Sequence, residues 1–252
     1  MDLQLSGARV VVSGGTRGIG RAIVEAFLDE GAQVGFCART VDEVTAAQAA
    51  LEQRGTAIGT ALDVRDLPAL TSWIEDCADR FGGIDCVIAS VSALAIPDTL
   101  ENWANSLDVD LMHTVGMVKA ALPYLEKSDN PSITAISSVS GRESDFASGP
   151  YGTAKTAIVG YIHGLALQLA EKGIRANIVS PGNTYFDGGV WANIESGDPE
   201  LFQTAVGLNP TGRMGTPAEV AAPVVFLASR AAGRVSGTNL VVDGALTRGI
   251  QL

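Results

Sequence analysis

Tyr151 and Lys155 stand four residues apart, and Ser138 lies thirteen residues before the tyrosine. Four residues is about one helical turn, so on a helix the two side chains leave from the same face. An ammonium beside a phenol favours the phenolate, and so brings a side chain of unperturbed pKa about 10 into use nearer neutrality. Such a tyrosine can hand a proton over and take it back. A serine hydroxyl on the strand-loop upstream can hold the oxygen that the tyrosine protonates. Together these are the parts for interconverting a carbonyl and an alcohol. The same spacing also suits a half-buried ring beside a snorkelling lysine, so the surrounding elements decide.

The first of those elements lies at the N-terminus. A short run at residues 9–12 leads into Ser13-Gly14-Gly15-Thr16-Arg17-Gly18-Ile19-Gly20, where Ile19, Ala22, Ile23, Ala26 and Phe27 begin a helical period. Strand, glycine turn and helix in that order suit a nucleotide. Glycines at 14, 18 and 20 let the backbone turn sharply and let a pyrophosphate approach it. The amides of the first helical turn then face the anion. Gly14, Thr16, Arg17, Gly18, Ile19 and Gly20 are therefore cofactor-binding candidates, although the spacing is G-x-x-x-G-x-G rather than G-x-G-x-x-G. The next strand, at 33–37, is followed by Ala38-Arg39-Thr40 without a carboxylate to accept from ribose hydroxyls. Arg39 can grip a 2′-phosphate bidentately, Thr40 can add a hydroxyl, and Arg17 lies on the same side. NADP(H) is the expected cofactor in preference to NAD(H), the plainer alternative being two solvated arginines.

Taken together, these residues resemble the short-chain dehydrogenase/reductase family, over about residues 5–251. Further landmarks follow in order: Asp63-Val64, Pro181-Gly182, Arg213-Met214-Gly215-x-Pro217-x-Glu219-Val220-Ala221, Phe226-Leu227-Ala228-Ser229 and Val242-Asp243-Gly244. The resemblance implies Tyr151 as general acid/base and Ser138 as the group that positions the substrate oxygen. Lys155 then lowers the tyrosine pKa and holds the nicotinamide ribose. It also implies that Asp63 contacts the adenine ring and that Thr184 contacts the cofactor carboxamide or diphosphate, with Val64, Pro181 and Gly182 also among the cofactor-binding residues. For Asp63 the alternative is a helix N-cap.

Three departures stand out. Ala89-Ser90-Val91-Ser92 replaces the family's Asn-Asn-Ala-Gly, and Phe186 stands where a Pro-Gly-x-x-x-Thr threonine is usual. Asp110 replaces an asparagine that anchors a water-linked proton path to the lysine. Because its carboxylate accepts but cannot donate, and stabilises Lys155 as a cation, Asp110 joins the catalytic candidates with an altered pH profile expected.

Strand-like runs at 57–62, 84–89, 132–137, 175–180 and 239–242 alternate with helical patterns throughout the 252 residues. The expectation is an α/β fold in one domain, 1–252: a Rossmann-type doubly wound parallel sheet of about seven strands with helices on both faces. The helix carrying Tyr151 should reach about residue 172; its small residues, with the family's habit, suggest a homotetramer. Residues 183–209, rich in Gly and Asn and read as a long loop, carry Tyr185, Phe186, Trp191 and Phe202 and are the expected substrate cover, the aromatics either excluding water or packing the segment down.

A net charge of −11 argues against nucleic acid, and neither a membrane-length apolar run nor a leader is evident. Three scattered cysteines and two isolated histidines offer no metal site, and a soluble cytoplasmic protein is expected. The reading is an NADP(H)-dependent oxidoreductase acting on a small ketone or secondary alcohol. The alternatives are a 3-oxoacyl-thioester reductase serving an acyl carrier protein, with Arg142 at the mouth, and a catalytically weak nucleotide-binding regulator.

Overall fold

The structure, a computed structural model, describes residues 2–249; Gln251, the expected end of the family-like stretch, lies outside them. Seven strands form one parallel sheet: β1 (Arg9–Ser13), β2 (Gln33–Ala38), β3 (Ala57–Ala61), β4 (Cys86–Ala89), β5 (Ser132–Ile136), β6 (Arg175–Pro181) and β7 (Asn239–Val242). Their order is β3-β2-β1-β4-β5-β6-β7. The chain thus winds outward from β1 to β3 and returns to β4 beside β1. That reversal opens a crevice at the carboxyl ends of β1 and β4, where doubly wound sheets take their ligands.

Nine α-helices connect the strands among the described residues: α1 (Gly18–Asp29), α2 (Val41–Leu51), α3 (Leu67–Phe81), α4 (Leu100–Ser106), α5 (His113–Leu125), α6 (Pro150–Leu169), α7 (Val190–Gly197), α8 (Pro199–Gly207) and α9 (Pro217–Ala228). One core layer packs α1, α2 and α9 on the sheet through Ile23, Phe27, Leu51 and Val224; the other packs α3, α5 and α6 through Ile74, Met117 and Ile158. Covered on both faces, the central strands read as unbroken apolar runs: Val10, Val11 and Val12 are all fully buried. Each such valine contributes about 1.5–3 kcal/mol of burial.

Local signals set the helix ends. Asp66 accepts from the amide of Ala69 at 3.0 Å to begin α3, which stops at Gly82 in the left-handed region at φ 77°. The N-cap of α3 is therefore Asp66, not Asp63. Thr216 and Glu219 cap α9 reciprocally. The strand expected at 84–89 starts at Cys86, with Asp85 instead pairing Arg9 at 2.6 Å. The substrate cover differs most from expectation, since most of it is α7 and α8. Trp191, Phe202, Ala205 and Met214 form a small core of their own there, so two of its aromatics chiefly pack the cover down.

At the far end of α9 the last carbonyls meet a buried arginine. Arg175 donates to Leu227 O, to Ala228 O and Ser229 O at 3.1 Å each, and to Ala232 O at 3.3 Å. A helix leaves its final carbonyls without internal partners, and this guanidinium collects them. Burial lowers its pKa from the ordinary value, but an arginine stays charged at any physiological pH. Arg175→Leu is expected to lower the unfolding free energy by about 3 kcal/mol in denaturant melts. A loss below about 1 kcal/mol would show those carbonyls to be satisfied otherwise.

All three thiols are buried. Cys37 and Cys77 lie in one core layer and Cys86 in the other. Burial pushes each of them up to about 12.

Candidate active site

Three segments meet at the carboxyl end of the sheet. Ser138 follows β5 and opens a short 3-10 turn, Val139–Gly141, its hydroxyl oxygen accepting from the amide of Ser140 at 3.1 Å. That turn packs directly on the start of α6. A β-carbon on Gly152 would stand 2.9 Å from Ser140 O, and one on Gly141 would stand 2.8 Å from the Lys155 backbone. Ser137 adds a hydroxyl bond to Lys155 O at 2.9 Å. Ser138 is thereby fixed beside the helix that carries Tyr151 in its first turn and Lys155 one turn later.

Lys155 is 2% exposed, and its Nζ lies 5.7 Å from the centroid of the Tyr151 ring. The ammonium donates to Ile136 O at 3.1 Å and pairs with Asp110 Oδ1 at 3.0 Å. Burial pulls the lysine pKa down, but the Asp110 carboxylate, with Tyr151, outweighs it and the net movement is upward. The ammonium is thus held charged behind the ring.

Asp110 sits, fully buried, on a widened π-helical turn, Leu107–Met112, joining α4 to α5. Such turns gather at functional sites because the extra residue re-aims a side chain. Oδ2 accepts from the amide of Ala93 at 3.0 Å while Oδ1 faces Lys155. Both neighbours are donors. An asparagine would set its own NH₂ against one of them, so the local chemistry calls for two acceptor oxygens. Asp110 also anchors the segment that follows Ala89-Ser90-Val91-Ser92.

The same segment has a second tie that the sequence concealed. His113, 1% exposed, bonds Val109 O through Nδ1 at 2.5 Å and Ser13 Oγ through Nε2 at 3.1 Å. Burial lowers its pKa to about 4, so it is neutral at ordinary pH. The carbonyl then requires Nδ1 to carry the proton, and Nε2 accepts from the Ser13 hydroxyl. Ser13 Oγ in turn accepts from the amide of Ser90 at 2.9 Å. Glycine turn, post-β4 segment and π-turn are thereby stitched together. No local pattern marks this histidine beyond its place three residues after Asp110.

The glycine turn is tightly wound. The amides of Gly14 and Gly15 donate to Cys37 O at 2.8 and 3.2 Å. Gly14 and Gly18 lie in the left-handed region at φ 80° and 55°, and a β-carbon on Gly20 would run into Gly14 O. Helix α1 has no side-chain cap and no acid in its first turn, which leaves its leading amides for an anion. Thr16, Arg17, Arg21, Glu43, Ala46 and Ala47 line an adjoining groove of about 370 Å³. These residues fit a dinucleotide.

Arg39 and Thr40 are exposed just beyond β2. Asp63 is bound by Arg65 at 2.5 Å; that bond, with a smaller pull from Arg39, holds its pKa below the usual carboxylate value. Val64 is buried in the core. Pro181 ends β6, and Gly182 packs where a β-carbon would be 2.7 Å from that of Asp243. The Thr184 hydroxyl donates to Gly182 O at 3.1 Å, and its backbone bridges Gly215. On the cover, Trp191 meets exposed Phe146 edge-on with ring centroids 6.0 Å apart. Among the described residues no three His, Cys, Asp or Glu side chains are grouped to hold a metal, and no helix is long and apolar enough to cross a membrane.

A family model described as enoyl-(acyl carrier protein) reductase matches residues 14–247. Isoepoxydon dehydrogenase patN of Penicillium expansum is 43% identical over 253 residues, covering 98% of this chain and 97% of that one. L-fucose dehydrogenase of Mus musculus is 38% identical, covering 97% of this chain and 90% of that one. Among solved structures, the NADPH-bound short-chain oxidoreductase of Pseudomonas aeruginosa PAO1, described as containing an atypical catalytic center, is similar at TM-score 0.89 and 29% identity. It covers 97% of this chain and 99% of its own.

Proposed function

The chain belongs to the short-chain dehydrogenase/reductase family, and from that we propose an NADP(H)-dependent oxidoreductase that interconverts a ketone and a secondary alcohol. The observation that carries this reading is the buried Lys155 ammonium, 5.7 Å from the Tyr151 ring centroid and backed by Asp110. The nicotinamide would exchange the hydride with the substrate carbon. In reduction Tyr151 gives its phenolic proton to the substrate oxygen, while the Ser138 hydroxyl donates to that oxygen and fixes its place. Lys155 sets its positive charge beside the ring during that transfer. In oxidation the same groups act in reverse.

Arg17, which lines the groove at the glycine turn, and Arg39, exposed just beyond β2, support NADP(H). The NADPH named for the Pseudomonas relative agrees. Arg39→Asp is expected to weaken NADPH binding about 100-fold, because it removes a charge-assisted bidentate pair, and NADH binding less than about threefold. Fluorescence titration of both cofactors measures this; equal losses would remove Arg39 from the 2′-phosphate.

Reduction of a 3-oxoacyl thioester is the second reading, favoured by Arg142, exposed in the turn that Ser138 opens. NADPH consumption over a panel of ketones, diketones and 3-oxoacyl thioesters tests both. Turnover confined to the thioesters would establish the second, and silence across the panel with NADPH still bound would favour a nucleotide-binding regulator.

A further inference from the structure

The ring of Phe186 lies on Gly18. An atom at the β-carbon position of Gly18 would stand 2.5 Å from the ring Cζ and 2.8 and 2.9 Å from its two Cε atoms. Gly189 closes on the same ring, where a β-carbon would also stand 2.9 Å away. The Gly189 amide donates to Phe186 O at 3.0 Å, completing a tight turn through Gly188 at φ 72°. One of these glycines heads α1 and the other caps the start of α7. The ring therefore joins the glycine turn to the cover.

The backbone before the ring is pinned. The Gly215 amide donates to Asn183 O at 2.8 Å, and the Tyr185 amide to Gly215 O at 2.9 Å. Beyond the ring, Gly188 and Gly189 supply the conformational freedom that other residues lack. A displacement of the ring would thus be passed to α7 rather than back into β6.

Gly18 belongs to the turn whose missing side chains let a diphosphate approach the backbone. A group seated on the β-carbon face of Gly18 and the Phe186 ring cannot share that space. We propose that Phe186 is a latch: the cofactor's diphosphate lifts the ring from Gly18, and the head of α7, with Trp191, moves with it. This rests on the dinucleotide reading but not on the choice between NADP(H) and NAD(H). A ring that must leave first lowers the fraction of protein ready to bind, and so slows capture of the ligand.

The test is stopped-flow association of NADPH and of NADH with the wild type, Phe186→Ala and Phe186→Leu, followed by protein fluorescence. Phe186→Ala is expected to associate about tenfold faster with both dinucleotides, and Phe186→Leu to fall between. Unchanged or slower association would overturn the latch, because a ring that only packs gives no gain when removed. Both dinucleotides carry the same diphosphate, so the factor is common to them. A wild type that prefers NADH would refute the 2′-phosphate reading and leave the latch standing, whereas binding of neither would refute both. Hydrogen exchange of the protein alone gives a readout free of cofactor. The amides of α7 are expected to exchange several-fold faster in Phe186→Ala than in the wild type, and equal exchange would show that the ring does not hold α7.

Discussion

Tyr151→Phe is expected to lower kcat about 10³-fold while NADPH affinity changes less than about threefold, the range that general acid–base groups command. The substitution deletes one hydroxyl and leaves the ring. The neighbouring ammonium keeps its ion pair with Asp110 at 3.0 Å and its bond to Ile136 O, so the buried charge is not disturbed. The first turn of α6 keeps Pro150 at its head. Folding and cofactor capture should therefore survive, and the deficit should sit in the proton step. Steady-state turnover on the best ketone, paired with fluorescence titration of NADPH, separates the two. Turnover within tenfold of the wild type would remove Tyr151 as the proton donor. A large loss of cofactor affinity would mean that the hydroxyl acts in binding.

Asp110→Asn should cost about 3–5 kcal/mol of stability, the scale of a buried ion pair broken from one side. Its amide would point NH₂ at either the Ala93 amide or Lys155. The charge effect has a definite sign. The folded lysine pKa is raised above its ordinary value, so the pair stabilises the fold fully below the ordinary lysine range and is lost only as pH climbs through the raised value. Without the carboxylate, burial is opposed mainly by Tyr151, and the lysine pKa falls. That fall moves the alkaline limb of the reductive pH profile, where the lysine loses its charge, to lower pH. A profile and a melting temperature both unchanged would show that Asp110 does not govern the lysine charge.

Much of this was legible in the sequence because the signals are local. The glycine turn, the one-turn spacing of Tyr151 and Lys155, and the apolar strand runs each lie within a few residues. The sheet follows from their alternation, and all seven strands fall where expected to within two residues. What stayed hidden depends on distance. His113 joins Ser13 across 100 residues, and the widened turn that aims Asp110 reads as ordinary helix in its composition. Asp63 and Asp66 both suit a cap; only the hydrogen bond to Ala69 selects the second. The cover looked like loop because it is rich in glycine and asparagine, yet tertiary packing of Trp191 and Phe202 makes most of it helical. Arg175 opens a strand as any edge charge might, and its four carbonyl partners lie more than 50 residues ahead.

The three cysteines give the molecule a built-in reporter of its own opening. Each thiol is enclosed and held protonated far above neutral pH, so an alkylating reagent reaches it only when the surrounding layer parts. Cys37 and Cys77 report on the layer beneath α3, α5 and α6, and Cys86 on the layer beneath α1 and α9. The order in which they acquire label, read by mass spectrometry in buffer or in a living cell, tells which half of the sandwich yields first.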